Sequence, residues 1–329
     1  MKVAIFDFEK PIYDLEQKIE EFRAMEQSMD MREEIQMLQQ KLTDLKKKIY
    51  GNLSAWQSVQ ISRHPNRPYF LDYISGFGAN FTELHGDRRF ADDKALCAGL
   101  AQWNGQYVMM IGHQKGRELK ERQMRNFGCA HPEGYRKALR IMKLAEKMNI
   151  PIICMIDTPG AYPGIGAEER GQAEAIAVNL EEMMLINVPI IVIVIGEGGS
   201  GGALGVGVGD RVLMLENAYY SVISPEGCAS ILWRDKAKTP QAAEALRLTS
   251  RELQKLGIID RIVPEPLGGA HKNTEMMIQK TSDILWEELL QIKNCDRQSL
   301  LKMRYERFRK IGVFASTPLA VPSDLPGPL

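Results

Sequence analysis

The longest apolar run of the chain, residues 188–195, ends in six consecutive isoleucines and valines, and six of the seven residues after it are glycine or serine. A strand that is apolar at every position must be covered on both faces, as happens when helices lie on each side of a sheet. Two shorter apolar runs, residues 107–111 and 150–156, also end at glycine-bearing loops. Helical patterns at residues 134–147 and 167–184 supply the covering layers. The sequence therefore predicts an α/β fold.

The first fifty residues have a different pattern. Residues 12–50 contain no glycine or proline. Within them, residues 35–49 form one narrow apolar seam, in which apolar residues recur at alternating spacings of three and four. A polar break at residues 28–30 divides the segment, so we expect two antiparallel helices. The predicted organisation is a helical extension over residues 1–60, a main domain over residues 61–312 and a proline-rich, disordered tail over residues 313–329.

Charge and cysteine usage exclude several functional classes. Lysine plus arginine and aspartate plus glutamate are equal, at 42 each, so no overall field favours nucleic acid. The five cysteines form no CxxC pair and no signal peptide is evident, which predicts a cytoplasmic protein. The apolar run at 188–195 is too short to span a membrane. The five histidines lack a ligand-like spacing, so no metal site is expected.

The glycine-rich stretch, residues 196–202, is the first candidate site. Glycine allows a ligand to approach the backbone closely, and the first N–H groups of a following helix have no partner inside that helix. Each glycine costs about 0.5–1 kcal/mol relative to alanine, which a purely structural turn need not incur. The pattern predicts that backbone N–H groups around Gly198, Gly199, Gly201 and Gly202 hold an oxyanion.

Two other chemistries remain open at this stretch. Residues 198–202 match the G-x-S-x-G motif of serine hydrolases, with His271 as the one histidine after Ser200. A nucleotide site is suggested by the DxxG-like residues 157–160 and by a G-x-G-x-x-G match beginning at Gly196. No G-x-x-x-x-G-K-[ST] motif exists, and a run so rich in glycine meets such patterns by chance.

Two further segments follow predicted strands. Lys115 and Arg117 begin a basic stretch, residues 115–125, that would suit the phosphates of a ligand. The loop at residues 157–164 has two prolines and two glycines, which makes it stiff enough to form the wall of a pocket. We therefore expect its Gly160, Ala161 and Tyr162 to contact substrate.

Together these segments resemble a known family. The residues that carry the resemblance are Asp87-Arg88 with Asp92-Asp93-Lys94, Gly112-His113-Gln114-Lys115-Gly116, the loops at 157–164 and 196–202, and Ser224-Pro225-Glu226-Gly227. They are similar to the carboxyltransferase alpha subunit of multi-subunit acetyl-CoA carboxylase. The resemblance runs from about residue 6 to residue 312 and leaves out only the tail.

The resemblance implies a crotonase-like fold, a spiral of ββα units, here preceded by a helical hairpin. It implies an enzyme that moves the carboxyl group of carboxybiotin, tethered to a biotin carboxyl carrier protein, to acetyl-CoA, giving malonyl-CoA for fatty acid synthesis. The implied partners are a zinc-containing beta subunit, in an assembly of two alpha and two beta chains, and biotin carboxylase. ATP would be consumed by that complex without binding this chain.

The resemblance also assigns roles at the glycine stretch. Gly201 and Gly202, followed by Ala203, would form the catalytic backbone, which donates hydrogen bonds to the ureido oxyanion of biotin. Valine at Gly201 or Gly202 would then abolish turnover while leaving the fold and the contact with the beta subunit intact. A serine hydrolase and a non-catalytic scaffold, which keeps its glycines only for packing, are the remaining alternatives.

Overall fold

The computed structural model describes residues 5–25 and 31–312. In these ranges the strands are β1 (Asn80–Glu83), β2 (Leu96–Trp103), β3 (Gln106–His113), β4 (Ile152–Thr158), β5 (Ile190–Gly199), β6 (Arg211–Leu215), β7 (Tyr219–Ser221) and β8 (Arg261–Val263). The helices are α1 (Lys10–Met25), α2 (Arg32–Tyr50), α3 (Ala55–Ser62), α4 (Phe70–Gly76), α5 (Leu119–Met124), α6 (Pro132–Met148), α7 (Ile165–Glu169), α8 (Gln172–Leu185), α9 (Ser200–Leu204), α10 (Pro225–Leu232), α11 (Thr239–Leu246), α12 (Ser250–Lys255), α13 (Thr274–Ile292) and α14 (Arg297–Arg309).

One sheet organises the body, in the order β1-β2-β3-β4-β5-β6-β8, with β7 paired to the end of β5. The pairs β1–β2 and β2–β3 are antiparallel, and every later strand pairing, from β3–β4 onward, is parallel. Leu96 at the start of β2 lies opposite His113 at the end of β3. The segment before β2 therefore joins the carboxyl ends of the parallel strands at one edge, where sites form in α/β folds.

The α/β prediction is confirmed. Every residue of β4 and β5 is buried, as their continuous apolar sequences require, and α6 and α8 contact each other in the covering layer. The helix predicted over residues 134–147 lies within α6. The one predicted over residues 167–184 is wrong as a single helix, because Gly171, with φ of 80°, separates α7 from α8.

The N-terminal helical hairpin is also confirmed. Lys46 on α2 pairs with Glu16 on α1 at 2.6 Å, and the Tyr50 hydroxyl donates to Glu9 at 2.6 Å, so α1 and α2 are antiparallel. The predicted break at residues 28–30 and the tail at 313–329 lie outside the described residues. The domain boundary predicted after residue 60 falls inside α3, whose Ile61 is fully buried.

A buried arginine fixes the last helix behind the sheet. Arg304 on α14 donates to both carboxylate oxygens of Asp210 at 2.8 Å. It also donates to the backbone oxygens of Met183, Ile186 and Val188, at 2.7, 2.8 and 3.1 Å. Because those carbonyls extend from the last turn of α8 to the segment before β5, the guanidinium holds the connection that leads into the glycine-rich strand.

Candidate active site

The glycine-rich stretch does not begin as a loop. Its first four residues, 196–199, are the last four of β5, and only at Ser200 does the short helix α9 begin. The loop predicted over residues 196–202 is therefore wrong in its boundaries. The strand continues because Gly198 pairs with Thr158 of β4 on one side and with Tyr220 of β7 on the other.

Close backbone contacts explain two of the glycines. An added Cβ on Gly199 would lie 2.1 Å from the carbonyl oxygen of Pro159. One on Gly202 would lie 2.4 Å from the carbonyl carbon of Gly160 and 2.5 Å from the backbone nitrogen of Ala161. These distances are too short for any side chain, and backbone cannot move aside as a flexible side chain can. The end of β5 and the loop at 157–164 are thus in direct contact, as one backbone-lined surface.

Other glycines leave space. A Cβ on Gly160, whose φ is 156°, would meet no atom within 4 Å, and one on Gly201 would meet only the side chain of Ile176, at 3.4 Å. The surface is therefore open beside Gly160 and Gly201. There is no space beside Gly198, since an added Cβ would lie 2.9 Å from the Tyr220 ring. Ala203 is completely buried.

These contacts correct part of the valine prediction. At Gly202 the fold cannot stay intact, because a side chain there collides with the backbone of the neighbouring loop. At Gly201 the added carbon is accommodated against Ile176, so that position still separates a loss of activity from a loss of structure. Which N–H groups meet the reacting oxygen stays a prediction.

Tyr162 is anchored to the start of α6. Its ring stacks on His131 with the centroids 4.2 Å apart, and its N–H donates to the carbonyl of Ala130 at 3.0 Å. The Gln172 side chain donates to the carbonyls of both Ala130 and Tyr162, at 2.9 Å each. The wall formed by Gly160, Ala161 and Tyr162 is therefore held in place before any ligand arrives.

The serine hydrolase alternative finds no support at this site. Ser200 is exposed and has a φ of 52°, as a nucleophile on a tight turn would have, but within the described residues no hydrogen bond joins it to a histidine. His271 instead stacks on His64 with 3.7 Å between the centroids. Burial, and next the His64 ring, lower the pKa of His271 to about 3, which makes it a poor general base.

Lys115 lies beneath the glycine surface, in an ion-pair network. Its ammonium group is 2.6 Å from Asp157, at the end of β4, and 2.7 Å from Glu197, at the end of β5. The other oxygen of Glu197 accepts from Arg63 at 2.7 Å and from the Tyr219 hydroxyl at 2.9 Å. Because Asp157 and Glu197 lie near the ends of β4 and β5, Lys115 fixes the ends of these two strands relative to each other.

Arg117 is also engaged inside the chain. It donates to the carbonyl of Pro65 at 3.0 Å and to Asp72 at 2.5 Å, and it lies over the Tyr69 ring at 4.8 Å. These contacts hold residues 64–68, a segment after α3 with two prolines, against α4. The phosphate-binding role of Lys115 and Arg117 stays a prediction, and their geometry in this chain is that of internal ion pairs.

Glu197 and Arg63 were not among the candidate site residues that the sequence indicated. Glu197 is the only acidic residue inside a run of glycines and serines, and Arg63 lies just after the domain boundary predicted at residue 60. Their pairing joins residues 134 positions apart, so local spacing could not reveal it. One signal existed: a charged residue between apolar strand and glycine turn has to find a counter-charge when it is buried.

The two carboxyl groups of the network, Asp157 and Glu197, have pKa values shifted in opposite directions. Burial alone would raise the pKa of Glu197, but Lys115 and Arg63 outweigh it and lower that pKa to about 2. Burial raises the pKa of Asp157 although Lys115 lies beside it, and the charge of Glu197 adds to the rise. Glu197 is therefore the carboxylate that stays ionised, and Lys115 stays protonated between the two.

This difference predicts a pH dependence of stability. The pKa of Glu197 is lower in the folded chain than in the unfolded one, so its contribution is complete above about pH 4.5 and is lost as the pH falls toward 2. Relative to Glu197→Gln, the wild-type chain should lose about 1 kcal/mol of unfolding free energy by pH 4 and about 2 kcal/mol by pH 3. Urea denaturation at pH 7, 4 and 3 measures the difference. A constant difference between wild type and variant over this range would contradict the assigned pKa.

A metal-binding group and a membrane-spanning helix are both absent from the part of the chain that the structure covers. Among residues 5–25 and 31–312, no group of three or more His, Cys, Asp or Glu side chains could hold a metal ion. None of the helices in those ranges is long and apolar enough to cross a membrane.

Three solved structures share the architecture. The 12S transcarboxylase with methylmalonyl-coenzyme A bound gives a TM-score of 0.52 at 20% identity, over 65% of this chain and 41% of that one. The beta subunit of geranyl-CoA carboxylase from P. aeruginosa gives 0.52 at 15%, over 80% and 48%. A Pseudomonas malonate decarboxylase in complex with coenzyme A gives 0.52 at 18%, over 67% and 89%. This chain thus spans less than half of the length of the first two of these proteins. These likenesses confirm the crotonase-like fold.

Sequence relatives extend over nearly the whole chain. The acetyl-coenzyme A carboxylase carboxyl transferase subunit alpha of Geobacter metallireducens is 54% identical over 310 residues, which are 94% of this chain and 98% of that protein. The protein of the same name from Methylococcus capsulatus is 55% identical over 316 residues, or 95% and 98%. Residues 5–312 match the family described as acetyl co-enzyme A carboxylase carboxyltransferase-like. This chain therefore belongs to the acetyl-coenzyme A carboxylase carboxyltransferase family, as an alpha subunit.

Proposed function

We propose that this alpha subunit transfers the carboxyl group of carboxybiotin, carried on a biotin carboxyl carrier protein, to acetyl-CoA and so forms malonyl-CoA. Membership of the carboxyltransferase family supports the reaction. The proposal places the site between this chain and a zinc-containing beta subunit, in an assembly of two alpha and two beta chains that also works with biotin carboxylase. ATP is consumed elsewhere in that complex, and the chain acts in the cytoplasm.

The observation that carries the proposal is the backbone surface where the end of β5 meets the loop at 157–164. Gly199 approaches the backbone of Pro159 there, Gly202 approaches that of Gly160 and Ala161, and the surface is open beside Gly160 and Gly201. A flat polar ring can approach such a surface closely, so the residues present fit a biotin ring. When bound, carboxybiotin supplies the carboxyl group that is transferred.

The contribution of this chain is to donate hydrogen bonds. Gly201 and Gly202 lie in the first turn of α9, where N–H groups lack partners inside the helix and carry partial positive charge. Donors fixed in advance toward an oxygen that gains negative charge lower the barrier without reorganising. Gly201 and Gly202 are the proposed donors to the ring oxygen of biotin, and the buried Ala203 holds the turn beneath them.

Substrate contacts divide between the two walls. Gly160, Ala161 and Tyr162 form the rigid side, with Gly198 and Gly199 opposite. Lys115 acts below this surface, through its ion pairs with Asp157 and Glu197, which keep the two walls at a fixed spacing. The role of Arg117 is to hold the segment between α3 and α4 in place, through its hydrogen bonds to Pro65 and Asp72.

Carboxyl transfer from malonyl-CoA to free biotin tests the proposal directly. The purified chain is assayed alone, then with a matched beta subunit whose association is verified by size-exclusion chromatography. Transfer is expected only in the mixture, because each chain supplies half of the site. Activity of the chain alone would mean a self-contained site, and no transfer in a verified complex would overturn the proposed reaction.

A further inference from the structure

The strand that leads into the candidate active site is irregular just before it. Val194 of β5 lies opposite Ile156 of β4. The next pair is Gly198 with Thr158, so four steps along β5 match two along β4. Residues 195–197 of β5 therefore form a β-bulge. Bulges occur next to active sites, where they bend a strand and change the direction of the residues that follow.

The other side of β5 changes its partner at the same place. The pairing with β6 ends at Val194, and the pairing with β7 begins at Glu197. Ile195 and Gly196 lie between these two pairings. An added Cβ on Gly196 would lie 2.4 Å from Oδ1 of Asp157, so any side chain here would displace that carboxylate. The bulge is thus built around the Asp157 carboxylate.

Two side chains hold the backbone of the bulge. Asp157 accepts a hydrogen bond from the N–H of Glu197 at 2.8 Å. Arg67 donates to the carbonyl of Ile195 at 2.9 Å. Because a buried backbone group without a partner is costly, these two contacts stabilise the bent strand. Asp157 is part of the Lys115 network, whereas Arg67 belongs to a different ion pair.

The Arg67 side chain is itself firmly held. It is buried, and its guanidinium donates to both carboxylate oxygens of Glu265 at 2.7 Å. Glu265 also accepts from the N–H groups of Asn217 and Ala270, at 3.0 and 2.7 Å. Burial alone would raise the pKa of Glu265, but Arg67 outweighs it and lowers that pKa. Because Asn217 follows β6 and Ala270 follows β8, Glu265 connects the segments after those strands to Arg67 and so to β5.

The bulge lies directly before the proposed hydrogen-bond donors. Residues 198–200 are all that separates it from Gly201, and within them Gly199 packs against the backbone of Pro159. A shift of the strand at the bulge would therefore move the N–H groups of Gly201 and Gly202. Such donors stabilise an oxyanion at a distance of about 2.7–3.1 Å. A displacement of about 1 Å can lower the rate about 100-fold.

We propose that Arg67 is a positioning residue, which holds the carbonyl of Ile195 in the bulge and thereby places the N–H groups of Gly201 and Gly202 at the reacting oxygen. This inference rests on the proposed function, because it takes these two N–H groups as the donors. Arg67 contacts no reacting atom in this role, so its removal lowers kcat and leaves the KM for malonyl-CoA unchanged. An ion pair that only supported the fold would lower stability and leave kcat unchanged as well.

The chain offers a matched ion pair at the opposite end of the same strand. Arg304 and Asp210 are as deeply buried as Arg67 and Glu265. Asp210 accepts from the N–H of Ile190, the first residue of β5, at 2.7 Å. The double variants Arg67→Met/Glu265→Gln and Arg304→Met/Asp210→Asn each remove both charges of a pair, so neither keeps an unpaired buried charge. Gln and Asn also keep an acceptor oxygen for the backbone N–H groups.

Carboxyl transfer from malonyl-CoA to biotin is measured on the complete complexes with the beta subunit, after size-exclusion chromatography has verified association. In Arg67→Met/Glu265→Gln, kcat is expected to fall at least about tenfold with an unchanged KM for malonyl-CoA. Arg304→Met/Asp210→Asn should keep the wild-type kcat. Arg67→Lys keeps a donor for the carbonyl of Ile195 and should recover part of the loss. A kcat of the Arg67 double variant that falls no further than that of the Arg304 double variant would overturn the inference.

Hydrogen exchange separates this inference from the proposed reaction. Measured by mass spectrometry on the same complexes, exchange at residues 195–202 is expected to be faster in the Arg67 double variant than in the Arg304 double variant. This difference requires no turnover, so it supports the role of Arg67 even if the wild-type complex transfers no carboxyl group and the proposed reaction fails. Equal exchange at these residues in both double variants would overturn the inference even where the wild-type complex is active.

Discussion

Gly202→Ala is expected to abolish carboxyl transfer and to destabilise the chain, because the new methyl group has no space. Its carbon would lie 2.4 and 2.5 Å from backbone atoms of Gly160 and Ala161, and the two segments would have to separate. Overpacking of this kind costs roughly 3 kcal/mol, at the upper end of its usual range, since neither contact is with a flexible side chain. Urea denaturation and the transfer assay with the beta subunit measure both effects.

Gly201→Ala is the matched control for the fold. The methyl group at this position would touch only Ile176, at 3.4 Å, so unfolding should change by less than about 1 kcal/mol. Any loss of transfer in Gly201→Ala then reports on the site itself and not on folding. If Gly202→Ala were as stable as Gly201→Ala, the close contact between the two walls would be wrong.

Lys115→Met is expected to be the most damaging single change in the ion-pair network. It leaves Asp157 and Glu197 buried, with side chains only 3% and 8% exposed, and removes the cation between them. Removing one partner of a buried ion pair typically costs about 3–5 kcal/mol, because the remaining charge is uncompensated. Transfer activity should fall with stability, since the walls of the site lose their common support. Denaturation of the chain and activity of the complex give the two readouts.

A double substitution distinguishes this structural role of Lys115 from its predicted phosphate-binding role. In Lys115→Met/Asp157→Asn one of the stranded carboxylates becomes a neutral amide, so part of the lost stability should return. The remaining carboxylate, Glu197, keeps Arg63 as its partner. A Lys115→Met chain of normal stability, with only a raised KM for the CoA substrate, would instead place Lys115 on the phosphates.

The sequence alone determined the class of fold and the position of the candidate site. The continuous apolar strands, the glycines at their ends and the glycine-free first fifty residues are local patterns, so they predicted β3, β4, β5 and the hairpin correctly. Family membership was also evident from the sequence, because the segments that carry it are recognised from their own residues. These features need no knowledge of which distant residues meet.

Only the tertiary structure decided how the site is built. The extension of β5 to Gly199 depends on β7, and the need for glycine at 202 depends on the loop after β4. Lys115 looked like a free cation until its partner Glu197 was found 82 positions away. Local periodicity indicates which side chains face the core. Contacts between distant backbone segments, and ion pairs between buried charges, depend instead on how the elements pack. The physical reason is that steric exclusion and desolvation act on neighbours in space, which the order of residues does not specify.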